Sequence, residues 1–384
     1  MKKAPASKAP VINLMTKNKQ PPGLPVSPLV ADCRTTVAQL QYDYNLITQA
    51  NEICYPVPYH IIRELGRGRQ GVVFLCLRQG ARGCVTKRAI KVFDPALYKT
   101  SEEYWTDMGR IASQISCLDS VQSPYLVTRQ CYEEIHGIGY VQMEVIDGID
   151  LEYLLQNNHL EIAEKHKSSN EFRRLAKIVF RQHNNRTRFQ PGVMLYILKS
   201  VVSGLERLHS QGFLHCDVKP SNIMIDKLGT VKLIDFGRGV MVGENVHFLL
   251  GAPMYMAPET HRRETAGVTT DLYSAGLVAL EMLCGHKLVE EDIEENNLLD
   301  IKMKLPEKLD KMLPKCVRNC HRLVQVLRTL LHPDPRKRYQ GAKEAVICKN
   351  GISMAEREFV KEDFHAEYSH DLADYISLIM PSQV

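Results

Sequence analysis

His215-Cys216-Asp217-Val218-Lys219-Pro220-Ser221-Asn222, followed by Asp235-Phe236-Gly237 inside the run K-L-I-D-F-G, is the stretch that decides how this chain is read. One carboxylate, Asp217, has a lysine two residues on and an amide five residues on, and a second carboxylate, Asp235, follows after a strand pair. That set suits the movement of a phosphoryl group. Asp217 would orient a hydroxyl as base, Lys219 would steady charge on the γ-phosphate, and the hard oxygens of Asn222 and Asp235 would hold Mg²⁺.

Working outward, Tyr59 to Leu77, which contains I-I-R-E-L-G-R-G-R-Q-G-V-V-F-L-C-L from Ile61 on, is two extended runs joined by a tight glycine-rich turn. Gly66, Gly68 and Gly71 lack the Cβ atoms that would keep backbone amides away from phosphate, and Val73 offers an apolar side chain to a flat base. A glycine pattern of this kind also opens dinucleotide-binding helices, but here it leads into Val72-Val73-Phe74-Leu75, a strand. Arg88 to Phe93, R-A-I-K-V-F, makes a third strand with Lys91 at its centre. A lysine in an apolar strand is costly unless its ammonium finds an anion, and nucleotide phosphates supply one.

Taken in order, these motifs resemble those of eukaryotic-type protein kinases over about residues 59–348, and Lys219 at its offset resembles the Ser/Thr type. The resemblance implies an α+β fold of two lobes, a small β-rich N-lobe over 59–143 and a larger helical C-lobe over 147–348, with ATP and Mg²⁺ in the cleft and a protein substrate. It implies that Lys91 holds the α and β phosphates and that Met143 is the gatekeeper. The backbone of Glu144 to Ile146 would meet the adenine edge, and Asp150 the ribose. Asp271 to Leu283 resembles the buried central helix of the C-lobe, and Arg338 stands where it would pair with Glu259 of Ala257-Pro258-Glu259.

The chain also departs from the family. Gln114 occupies the place of the glutamate that usually pairs with the strand lysine, so Lys91 would be held by the amide or by a displaced acid, Glu103 or Asp107. From Gly237 to Glu259 there is no Ser or Thr; Phe248 stands near the usual phosphothreonine, and Ala252 replaces the threonine that bonds the catalytic Asp. Cys216 replaces the arginine that would receive such a phosphate. Receptor and ligand are missing together, which points to a loop held by Phe248, Leu249 and Leu250 without phosphorylation.

The remaining sequence bounds the setting. At 384 residues, 44% hydrophobic and 24% charged, the chain buries a real core, and a formal charge of +5 is too small to call for nucleic acid. Eleven cysteines, an odd number and mostly in apolar surroundings, fit reduced thiols and a cytoplasmic or other reducing compartment, delivery into another cell included. Cys316, Cys320 and His321 lack a second ligand pair and read as helix residues. No apolar run is long enough for a transmembrane segment, and Met1-Lys2-Lys3 opens no signal peptide.

Residues 1–35 are Pro- and Lys-rich and read as a flexible arm, and 36–58 as a helical lead-in with Val37, Leu40, Tyr44 and Ile47 at helical spacing. Residues 156–190 look like a basic insertion, with Lys165, Lys167, Arg173, Arg174, Lys177, Arg181, Arg186 and Arg188 against Glu161, Glu164 and Glu171. This run is either a dock for an acidic partner or a solvated face. Residues 349–384 form an acidic tail that either folds back on this insertion or ends as a solvated helix.

Overall fold

The computed structural model describes residues 36–380 except 51, 55–57, 120, 167–173, 175, 184–185, 236, 238, 244–251, 290–292 and 363–366. The arm at 1–35 and the side chains of Phe236, Phe248, Leu249 and Leu250 lie outside the described residues. Thr36 starts helix α1 (Val37–Gln49), its hydroxyl accepting from the Gln39 amide. The expected periodicity holds: Leu40, Tyr44 and Ile47 are buried. The lead-in is not wholly helical, because Glu52–Cys54 (β1) pairs antiparallel with the start of β2 (Pro58–Gly68).

The glycine-rich hairpin joins β2 to β3 (Gly71–Gln79), which pairs with β4 (Val85–Phe93), placing Val73 opposite Lys91. β5 (Arg129–Ile135) and β6 (Ile138–Met143) complete a six-stranded antiparallel sheet in the order β1-β2-β3-β4-β6-β5. Gly71 has φ +142°, and a Cβ there would sit 1.9 Å from the Val92 carbonyl, so the hairpin closes onto β4 only with glycine. Helix α2 (Ser101–Leu118) packs on this sheet through Tyr104, Met108 and Ile111, in one apolar cluster with Leu40 and Tyr44 of α1.

After residues 144–147 the chain enters a helical lobe through β7 (Gly148–Asp150) and α3 (Leu151–Leu155). Its core is built on α5 (Pro191–Ser210) and α6 (Val268–Cys284). Almost every residue of α6 is buried, as its largely apolar sequence requires. Between them, β10 (Ile223–Asp226) pairs with β7 and β11 (Val231–Leu233), carrying residues 215–222 on one side and Asp235 on the other.

The basic insertion folds. It forms α4 (Asn158–His166) and a hairpin of β8 (Phe180–His183) and β9 (Arg186–Phe189), whose Phe180 and Phe189 join the core. Gly285, at φ +71°, lets Thr187 come close enough that a Cβ would lie 2.4 Å from its carbonyl. Arg174, Lys177 and Arg181 remain exposed.

The acidic segment forms α7 (Ile352–Glu362) and α8 (Tyr368–Ile379). α8 does lie against α4, but aromatic packing holds it there: Tyr375 meets His159 and Phe180, and its hydroxyl is 2.6 Å from His159 Nδ1. Two acids of this segment pair elsewhere, Glu356 with Lys199 and Glu358 with Arg322. No helix among the described residues is long and apolar enough to cross a membrane.

Candidate active site

Asp217 is fixed from three directions. Its Oδ2 accepts from Lys219 Nζ at 2.9 Å and Asn222 Nδ2 at 3.0 Å, and its Oδ1 accepts from the Ala252 amide at 3.1 Å. Where a threonine hydroxyl was expected, the backbone amide of Ala252 itself donates to Asp217. Cys216 carries φ +62°, and its amide and that of His215 donate to Asp271 of α6 at 2.8 Å each, so the core helix sets the pose of the segment. Burial pushes the Cys216 thiol well up, leaving it un-ionised.

The Asn222 amide spends its hydrogens on the Asp217 carbonyl and carboxylate, leaving its oxygen as an acceptor. The Asn222 carbonyl accepts from Ile234 N at 2.8 Å, and His215 Nε2 bonds the Ile234 carbonyl at 3.1 Å. These bonds stitch the catalytic segment to the strand end bearing Asp235. Across the cleft, Lys91 Nζ donates to Asp235 Oδ1 at 2.5 Å and to Gln70 Oε1 at 2.7 Å. Burial pushes the Asp235 carboxyl up, but Lys91, Arg129 and His215 outweigh it and hold it below the usual carboxylate range.

Asp235 and Asn222 therefore present oxygen donors of the kind Mg²⁺ takes, beside a lysine suited to phosphate, and the donor set fits that ion. Gly66 and Gly68 lie in β2 with nothing within 4 Å of where a Cβ would stand, so the hairpin above the cleft is open to a ligand. The Glu144 amide donates to the Thr128 carbonyl at 3.0 Å, and its carboxylate takes Lys232 at 2.7 Å. Among the described residues no bond uses the Glu144 carbonyl or the Ile146 amide, both within the stretch expected at the adenine edge. One oxygen of Asp150 caps α3 by accepting from Tyr153 N at 2.8 Å, and burial raises its pKa.

Gln114 does not reach Lys91. It is buried, and its Oε1 accepts from Arg129 Nη1 at 3.4 Å. Neither Glu103 nor Asp107 takes its place: Glu103 accepts from the Lys99 amide, and Asp107 from Tyr98 and Arg110. Sequence reading missed Gln70, Arg110 and Arg129. Gln70 sits in the glycine-rich motif and was there to be read; the two arginines carry no motif and act only through partners far along the chain.

The family model described as "Protein kinase domain" matches residues 59–347. The chain belongs to the protein kinase family. It is 27% identical over 288 residues to calcium-dependent protein kinase 14 of Arabidopsis thaliana, which covers 73% of this chain and 47% of that protein. With mouse serine/threonine-protein kinase D3 it shares 25% over 291 residues, 71% of this chain and 28% of the other. A probable cAMP-dependent protein kinase catalytic subunit of Encephalitozoon cuniculi is 35% identical over 119 residues, 28% of this chain and 37% of its own length. The matches thus span less than half of each of these relatives. Among solved structures, the kinase domain of Mycobacterium tuberculosis PknI superposes with a TM-score of 0.53 at 21% identity, covering 80% of this chain and 98% of that one, a likeness of fold. The kinase domain has a β-sheet N-lobe and a helical C-lobe, as expected from the motifs.

Proposed function

We propose that the protein is an active Ser/Thr protein kinase that moves the ATP γ-phosphate to protein hydroxyls. The observation that carries this is the pose of Asp217, its carboxylate oriented by Lys219, Asn222 and the Ala252 amide together. A carboxylate so held orients an incoming hydroxyl and takes its proton, while Lys219 and Lys91 offset charge on the phosphates. Asn222 and Asp235 would hold Mg²⁺, which when bound neutralises phosphate charge.

Activity in this reading needs no phosphate on the loop before Glu259. The loop lacks Ser and Thr, and its single tyrosine, Tyr255, is buried with its hydroxyl donating to Glu281 Oε2 at 2.6 Å. A second reading, an ATP-binding pseudokinase acting as scaffold, is favoured by one observation: no acid on α2 pairs with Lys91. Labelled ATP, Mg²⁺ and a generic acceptor separate the two, with Asp217→Asn as control. Transfer lost in the variant and insensitive to prior phosphatase treatment supports the first reading. Nucleotide binding without transfer supports the second.

A further inference from the structure

Helix α2 lacks the acid that would tie it to Lys91, yet it is bound to the metal loop by other means. Arg110 Nη2 donates to the Gly237 carbonyl at 2.8 Å, and Nη1 donates to the Gly239 carbonyl. The guanidinium is itself pinned: its Nε donates to Asp107 Oδ1 at 2.9 Å, and the other Asp107 oxygen accepts from Tyr98 at 2.5 Å. Both side chains are about one-fifth exposed, so these bonds form largely out of water. A planar fork of donors matches two carbonyls two residues apart in a way that a point charge cannot.

What the fork grips matters. Asp235 has φ +55°, a backbone state that a non-glycine residue keeps only where its surroundings over-determine it. Lys91 and the Ile234 bonds fix the chain before and at Asp235; Arg110 fixes it just after. We propose that Arg110 is a positioning residue that holds the metal loop in its working conformation, replacing the helix glutamate and the loop phosphate with one arginine bound to main-chain carbonyls. Because Asp107 balances its charge and the acceptors are backbone, the grip is permanent and independent of any modification. This inference rests on the kinase reading of the site.

The test compares wild type with Arg110→Met and Arg110→Lys in the full chain. Amide exchange is first followed without nucleotide in a peptide spanning residues 233–243; steady-state transfer is then measured. Arg110→Met is expected to speed exchange in that peptide while leaving the sheet unchanged. It should lower kcat by about tenfold or more with KM for ATP moved by less than about threefold, and Arg110→Lys should recover part of both. Unaltered exchange in 233–243, or faster exchange spread equally over α2 and the sheet, would overturn the proposal, since the arginine would then be idle or merely structural. If wild type transfers nothing, the kinase reading falls by itself, and the exchange arm still decides whether Arg110 holds the loop.

Discussion

At the scale of single residues, Asn222 does two jobs that a substitution can separate. Its oxygen is a candidate metal ligand, while its amide hydrogens hold Asp217. Asn222→Asp keeps a hard oxygen ligand but removes both donors and sets two carboxylates about 3.0 Å apart. If ligation were all that mattered, the variant would stay active. The expected outcome is instead a fall in kcat of roughly ten- to a hundredfold, the cost of losing a hydrogen bond to a charged group. Elsewhere the pair Arg338–Glu259 is bidentate, at 2.7 Å for both contacts, and nearly sealed from solvent. Arg338→Met strands Glu259 in the core and should cost about 3–5 kcal/mol in denaturant unfolding. The surface pair Arg328–Asp310 should contribute no more than about 1 kcal/mol. Lys91, Asp217, Asn222 and Asp235 were readable in the sequence because each sits in a short motif whose residue types suit phosphate and metal chemistry; the Arg338–Glu259 pair was readable only through the resemblance to protein kinases. The partner of Gln114 was not: Arg129 belongs to β5, and only the folded sheet brings it under α2.

At the scale of elements, the sequence misled where charge was read and apolar spacing was not. Leu372, Tyr375, Ile376 and Ile379 fall at i, i+3, i+4 and i+7 and, with Leu378, are the residues α8 buries, whereas the sequence reading weighs its acids. The clamp it forms with α4 is acid-sensitive. His159 is fully buried, its Nε2 meeting the Leu154 carbonyl at 3.0 Å and its Nδ1 the Tyr375 hydroxyl; burial lowers its pKa from 6.5 to about 4. The unfolded chain therefore binds the extra proton between about pH 6.5 and pH 4, so stability is complete above that window and falls as pH drops through it. The loss should approach roughly 3 kcal/mol by pH 4. Melting temperatures of wild type and His159→Phe should converge or cross as pH falls from 7 to 4; parallel curves would refute the assignment. On the other lobe, α1 seats Leu40 against Gly137 and the apolar side of α2, so Leu40→Ala should cost about 3–5 kcal/mol of N-lobe stability, read by amide exchange in α2.

For the whole molecule, the division into two lobes was legible because the ordered motifs resemble those of protein kinases, a family of two-lobed domains. How firmly the lobes hold each other was not, since that depends on contacts made by no motif. Among the described residues the sheet lobe has one apolar cluster and the helical lobe a much larger one beside a small one at Leu214, Cys216 and Val240, and Met143 packs against the two large clusters. Among the described residues, polar links between the lobes include Lys91 to Asp235, Arg110 to the Gly237 and Gly239 carbonyls, and backbone bonds of Tyr125 and Val127 with Leu233. Two separate cores need not unfold as one cooperative unit. Calorimetry without nucleotide should resolve two transitions, the sheet lobe melting first because its smaller core buries less apolar surface. A ligand held by Lys91 on one side and Asp235 on the other binds only when both lobes are folded. At a hundredfold excess over Kd, Mg·ATP should therefore stabilise the first transition by about 2.7 kcal/mol and draw it toward the second. Lys91→Met and Asp235→Asn should each abolish that convergence while leaving the second transition in place. A single transition with or without nucleotide would mean instead that Met143 and the cleft contacts already couple the lobes fully.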